Sequence, residues 1–333
     1  MSDRPDLHLF TPGPTGSTPE VIEATGRPMV PHYGERFLTV YNRCIDLFKV
    51  VFQTENDLFL IIGPGTAALD ASLSSALPDG ARVLVPGGGW FGRRMAEMCR
   101  AHRADVDFVE FPLDEAIDPE VVRRRLETAD VPYDAVAWVH HETSTGVLNP
   151  MEPVAKAAKE QGALTIVDAV ASLGGVDLPV DAWGIDLCVS VTNKCLAAPP
   201  GISAVSVSSA AWEAIDSNPS SRSWYLDLRT WRSYREEWAG WHPFPSTVPS
   251  NIIEAATTSI EQILEEGLDV RIRRTAEAAT AVRSGLSRLG FEMFTPDDIA
   301  SPVTTTAYAH PELPAADMQR FLMERSIFIS GGL

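Results

Sequence analysis

Lys194 stands in the stretch "DLCVSVTNKCLAAPPG" (186–201), between the apolar run "LCVSV" and a turn of small residues and prolines. Lysine is seldom buried without a partner, so an amine held between a core strand and a stiff turn invites a chemical use. Asp168 ends the earlier run "LTIV". A carboxylate at the carboxyl end of a buried parallel strand lies where open α/β sheets take their ligands. One connection between two strands spans the distance from Asp168 to Lys194, so both side chains can end at the same sheet edge. Taken singly, each has an ordinary alternative. Asp168 could be a helix cap or a satisfied core acid, and Lys194 could reach along its stem to solvent.

The stretch "IIGPGTAALDASLSSAL" (61–77) adds a third component. It reads as a strand, a Gly-Pro-Gly turn and a helix opening at Thr66. Such a turn offers backbone N–H groups and the positive helix end to an anion, with the Thr66 hydroxyl beside them. It is neither a Walker loop nor G-x-G-x-x-G. A phosphate cradle, a strand-end acid and a strand-end lysine together suit pyridoxal 5′-phosphate. Its phosphate would sit on the turn, its ring nitrogen on Asp168, and its aldehyde on Lys194 as a Schiff base.

These residues need a sheet to position them. Apolar runs recur at 57–62, 82–86, 105–111, 134–140, 163–169, 186–191 and 203–207. Their continuous apolarity predicts strands buried on both faces. Helical spacing separates several of them, at 66–77, 91–102, 119–126 and 153–161, after earlier helices at 19–25 and 34–52. Strands alternating with helices predict a mostly parallel, doubly covered α/β sheet. Beyond residue 208 the pattern changes. A Trp- and Arg-rich stretch (221–242) predicts an amphipathic helix with Trp224, Leu228 and Trp231 buried. Long helices at 250–266 and 269–289 follow. Strands at 291–295, 301–309 and 327–330 and a helix at 315–325 complete a small α+β unit.

Composition bounds the function. The net charge is −18 and the pI about 4.8, which argues against nucleic acid or an anionic membrane as partner. Cys44, Cys99, Cys188 and Cys195 show neither CxxC pairing nor zinc spacing, as expected of reduced thiols in a cytoplasm. The start "MSDRPDLHLFTPGPTG" has no apolar signal core, and no stretch is long enough to span a membrane. His140 and His141 are adjacent on a strand and point to opposite faces, so no metal site is expected there. Supporting a neighbouring site residue, or a structural role, suits "HHE" better.

The segments "FTPGPT", "GPGTAALDASL", "HHETSTGVLNP", "VDAVASLGGVDLPVDAWGID" and "NKCLAAPPG" resemble the class V aminotransferases, in particular the alanine–glyoxylate and serine–pyruvate group. The resemblance runs in order from about Leu9 to Leu333. It implies a fold-type I enzyme with an N-terminal arm (1–18), a large cofactor domain (19–250) and a long helix with a small C-terminal domain (251–333). It implies transamination of alanine or serine with glyoxylate or pyruvate. Ureidoglycine–glyoxylate transfer, pyridoxamine–pyruvate transfer and a cofactor-binding protein of little turnover are the alternatives. It further implies a cytoplasmic homodimer that completes each site across its interface.

Residue by residue, the resemblance implies Lys194 as the cofactor lysine and Asp168 as the acid on the ring nitrogen. Gly65 and Thr66 form the phosphate turn, Phe91 and Val170 flank the ring, and Thr143 lies near the ring oxygen. Asn193 and a partner's Thr247 reach the phosphate, and the backbone at Gly13 takes the substrate carboxylate. Three departures stand out. Pro64 replaces a serine of the phosphate turn, and Phe244 replaces a tyrosine given by the partner subunit. The family's segment past "GGL", with its carboxylate-binding arginine, lies beyond Leu333, so the small domain is expected to be incomplete.

Overall fold

The computed structural model describes residues 7–220 and 223–332. The first six residues of the expected arm, Ser221 and Arg222 of the Trp- and Arg-rich stretch, and Leu333 lie outside the described residues. The chain opens with β1 (His8–Phe10), α1 (Pro19–Thr25) and α2 (Glu35–Phe52). The alternating region follows as β2 (Asp57–Ile62), α3 (Gly65–Ala76), β3 (Arg82–Gly87), α4 (Gly89–Ala101), β4 (Asp105–Glu110), α5 (Pro119–Glu127) and β5 (Ala135–Val139). A short hairpin, β6 (His141–Glu142) and β7 (Val147–Leu148), leads to α6 (Glu152–Glu160), β8 (Leu164–Asp168), β9 (Leu187–Val191) and β10 (Ile202–Val207). The remainder is α7 (Ser209–Ser217), α8 (Leu228–Glu237), α9 (Ser250–Glu266), α10 (Leu268–Arg288), α11 (Ala315–Met323) and β11 (Ile327–Ile329).

Seven strands form the central sheet in the order β2-β10-β9-β8-β5-β3-β4. Among the described strands of this sheet, β10 alone runs opposite to the other six. Every residue of β5, β9 and β10 is buried, which is why these strands read as unbroken apolar runs. Edge strand β4 is instead partly exposed and carries Asp105, Asp107 and Glu110, charges that discourage further pairing.

Helix starts separate into two kinds. Thr18, Asp118 and Ser208 cap α1, α5 and α7 with their own side chains, each satisfying an N–H that helix geometry leaves open. Helices α3 and α4 begin at Pro64 and Gly88 without a side-chain cap from the N-cap residue. Both of those helices start at the sheet edge where Asp168 and Lys194 lie.

The C-terminal part differs from the sequence expectation in its pairing. Segments 291–295 and 301–309 pair at an isolated bridge, Met293 to Ala307, where Phe294 N–H donates to Thr306 O and Tyr308 N–H to Glu292 O. Other polar groups turn to the β6–β7 hairpin: Ser301 N–H donates to Gly146 O at 2.8 Å and the Thr306 hydroxyl to Thr145 O at 2.5 Å. The strand β11 pairs in parallel with β1 of the N-terminal arm. Leu228 and Trp231 are fully buried, as expected, but Trp224 precedes α8 and is 60% exposed. Helix α9 buries Ile253, Ala256, Ile260 and Ile263 in the same core as the sheet, packed on α1 and α2.

The opposite end of the sheet is fixed by Asp186, just before β9. Its buried carboxylate accepts from Thr165 N–H at 3.0 Å, the Thr165 hydroxyl at 3.0 Å, Ser208 at 2.8 Å and Lys159 at 2.9 Å. Removing the acceptor strands a buried N–H, whereas Lys159 is exposed enough to turn to water. Replacing Asp186→Leu should therefore lower stability by about 2–4 kcal/mol in urea denaturation. A change under about 0.5 kcal/mol would show that this network carries no net stability.

Candidate active site

Parallel register brings the chemistry together. Val139 of β5 and Val189 of β9 lie level with Asp168, the last residue of β8. His140 N–H donates to Asp168 O at 2.9 Å and Ala169 N–H to Val189 O at 2.8 Å, which fixes the backbone there. The Asp168 side chain is buried and accepts from Val170 N–H at 2.9 Å. Burial pushes its carboxyl up to about 6; the Val170 N–H and the charges of Arg94 and Lys194 oppose the rise, and Glu142 adds to it.

Lys194 lies three residues past β9, on the same edge. Its Nζ donates to Pro12 O at 2.7 Å. Burial lowers the affinity of this amine for its proton, with Arg94 acting in the same direction and Cys195 and Asp168 against it. The other lysines are placed elsewhere: Lys49 donates to Glu55 O at 3.2 Å, Lys159 holds Asp186, and Lys156 is exposed on α6.

The turn between β2 and α3 stands against this edge. A Cβ on Gly65 would fall 2.5 Å from Val170 Cγ2, so any larger residue would push the turn off the Asp168 strand end. Gly63 N–H donates to Gly201 O at 2.9 Å and anchors the turn to the Ala-Ala-Pro-Pro-Gly segment. Gly65 is buried, while Thr66 is exposed at the mouth. Val170 is half-buried beside them.

Phe91 is placed from a distance. Glu142 accepts from Phe91 N–H and Gly92 N–H, both at 3.0 Å, and so caps α4 from another part of the chain. Its other oxygen accepts from Ser144 N–H at 3.1 Å and from the Ser144 hydroxyl. Gly89 has φ +69°, and a Cβ there would lie 2.5 Å from Glu142 Cδ. Thr143 is buried between these two partners in the chain. The guanidinium of Arg94, one turn along α4, stacks on the Phe91 ring at 4.5 Å, a favourable cation–π distance.

The N-terminal arm closes the other side. Gly13 has φ +135°, and a Cβ there would lie 2.5 Å from Lys194 Nζ. Thr15 binds both residues of the lysine turn, its N–H to Asn193 O at 3.2 Å and its hydroxyl to Lys194 O at 2.7 Å. The structure thus brings together Gly13, Gly65, Val170, Asp168, Asn193 and Lys194, with Phe91 and Thr143 held on the neighbouring Glu142 framework. Thr247 is exposed in the loop before α9. Phe244 is fully buried against Tyr41 and His242 of its own chain, at ring distances of 4.9 and 4.4 Å. That position therefore presents no side chain to a partner.

Three residues with a part in this edge escaped the sequence reading. Arg94 could have been found from its i, i+3 spacing to Phe91. Thr15 and the capping use of Glu142 depend on contacts distant in sequence. The histidines behave as their opposite faces require. His140 packs on Trp183 with its Nδ1 lacking a partner, and His141 lies 3.0 Å from Thr304. Burial lowers them to about 3 and about 4. Among the described residues no group of three or more His, Cys, Asp or Glu could hold a metal ion.

Comparison with known proteins agrees with this geometry. The chain is similar over its whole length to the structure of alanine–glyoxylate aminotransferase from Nostoc sp., with TM-score 0.94, 32% identity and 88% of that chain covered. The fold is thus that of the fold-type I aminotransferases. The family description Aminotransferase class-V matches residues 9–333, and the chain belongs to the class V aminotransferases. An uncharacterized aminotransferase of Methanocaldococcus jannaschii is 39% identical over 91% of this chain and 78% of its own length. The pyridoxamine–pyruvate transaminase of Mesorhizobium japonicum is 31% identical over 91% of this chain and 76% of its own.

The raised Asp168 value has a definite sign in stability. An ordinary Asp titrates near 3.9, below the folded value of about 6. The folded protein therefore holds this proton more tightly. Its contribution to stability is full below about pH 4, falls as pH rises, and is gone above about pH 6. In cofactor-free protein, Asp168→Asn should be more stable than the parent at pH 7 by about 2–3 kcal/mol, the gain fading toward pH 4. Denaturation at the two pH values checks this, and an equal difference at both would contradict it.

Proposed function

We propose that this aminotransferase uses pyridoxal 5′-phosphate to move the amino group of alanine or serine to glyoxylate or pyruvate. The observation that carries the reading is the placement of Asp168 and Lys194 on one sheet edge, with the Gly65 turn packed on Val170 beside them. The residues suit the group. Helix α3 begins without a side-chain cap, which leaves its first N–H groups for a phosphate. Asp168 is a dry carboxylate that a protonated ring nitrogen would answer. When bound, the cofactor supplies a ring that accepts the electrons of the ionising Cα–H bond.

In this reading Gly65, Thr66 and Asn193 hold the phosphate, and Thr247 reaches it from the other subunit of a homodimer. Phe91 and Val170 flank the ring, and Thr143 lies near its oxygen. The backbone at Gly13 orients the substrate carboxylate. Asp168 keeps the ring nitrogen charged. Lys194 takes the Cα proton as base and returns it as acid; its burial favours the neutral amine that this task needs. The homodimer is supported by a cluster of exposed aromatics, Tyr33, Trp238 and Trp241, since such patches mark interaction surfaces. The free cysteines suit a cytoplasmic setting, and no described helix is long and apolar enough to cross a membrane.

A donor panel tests the assignment. Alanine, serine, aspartate, ureidoglycine and pyridoxamine are each offered with glyoxylate, and all but alanine also with pyruvate, and the glycine or alanine formed is measured. Alanine or serine should give kcat/KM at least about tenfold above the others, the discrimination of a small pocket. Preference for ureidoglycine or pyridoxamine would replace the donor assignment, and no transfer from any donor would leave a cofactor-binding protein.

A further inference from the structure

We infer that the Pro12 carbonyl is the resting place of the Lys194 amine whenever that amine is free, and that Thr15 is the positioning residue that fixes it there. This rests on the cofactor reading above and extends it to the arm. The geometry is specific. Lys194 Nζ donates to Pro12 O at 2.7 Å, the next residue is packed against the same nitrogen, and Thr15 ties the arm to Lys194 O at 2.7 Å and to Asn193 O at 3.2 Å. On the other side of Pro12, β1 is held by β11 in register from His8–Ile327 to Phe10–Ile329. The Pro12–Gly13 span is therefore fastened at both ends, and its carbonyl is a fixed acceptor rather than a passing contact.

A fixed acceptor distinguishes the two forms of the cofactor. With the amino form, pyridoxamine 5′-phosphate, the lysine amine is free and keeps its bond to Pro12. With the aldehyde form, Lys194 Nζ would condense with the aldehyde, releasing water, and could not keep its bond to Pro12. The arm thus stabilises the amino form relative to the aldehyde form. Phosphate and ring contacts are common to both and cancel in the ratio of affinities.

The experiment measures dissociation constants of pyridoxal 5′-phosphate and pyridoxamine 5′-phosphate by equilibrium dialysis, for the parent chain and for Thr15→Val and Thr15→Ser. Thr15→Val should leave the affinity for the amino form unchanged and tighten the aldehyde form about three- to tenfold, the worth of one hydrogen bond. Thr15→Ser, which keeps the hydroxyl, should restore the parent ratio. Gly13→Ala, whose Cβ would crowd Lys194 Nζ, is the second route to the same shift should Thr15→Val fold poorly. An unchanged ratio in the variant that folds would overturn the inference. Failure of the parent chain to bind either form would instead overturn the cofactor reading.

Discussion

Asp168 is a carboxylate kept from water at the end of a strand, and the neighbouring elements answer its charge from several directions. An unpartnered ion in such a place is strongly disfavoured, and burial raises its proton affinity accordingly. The Val170 N–H reaches it directly, and the positive charges of Arg94 and Lys194 lie near enough to act on it. Arg94 comes from α4 and Lys194 from the turn after β9, and the parallel register of β8 and β9 sets that turn beside Asp168. The remaining imbalance is the feature that suits the edge to a cationic ring nitrogen.

The β6–β7 hairpin joins this edge to the rest of the molecule. Glu142 fixes the start of α4 and with it Phe91. Thr145 O accepts from the Thr295 and Thr306 hydroxyls, and His141 meets Thr304. One short loop thus links the aromatic of the site to the C-terminal segment. The N-terminal arm makes a second link, through β1 on β11 and Thr15 on the lysine turn. The site is a joint of three chain regions rather than a pocket within one.

The sheet and its two chemical residues were legible because burial on both faces leaves runs of apolar residues, and a charged residue at the end of such a run stands out. The Gly65 turn was legible for a related reason, since small residues are needed where backbone approaches side chain. The links were not legible. The Lys194–Pro12 contact spans 182 residues and the Glu142 cap about fifty, and no local pattern announces either. The run 301–309 reads as a strand, yet it meets 291–295 at a single bridge, while Ser301 N–H and the Thr306 hydroxyl turn to the hairpin. Trp224 misled because a tryptophan near a helical pattern suggests its buried face, while α8 begins only at Leu228.

The central claim is that Lys194, and none of the chain's other lysines, holds the cofactor. Reduction of the loaded protein with borohydride, followed by proteolysis and mass spectrometry of the peptides, tests it most directly. The lysines are Lys49, Lys156, Lys159 and Lys194, so the outcomes are few. The pyridoxyl mass should appear on the peptide containing Lys194 alone. Its appearance on Lys49, Lys156 or Lys159, or its absence from every peptide, would contradict the account.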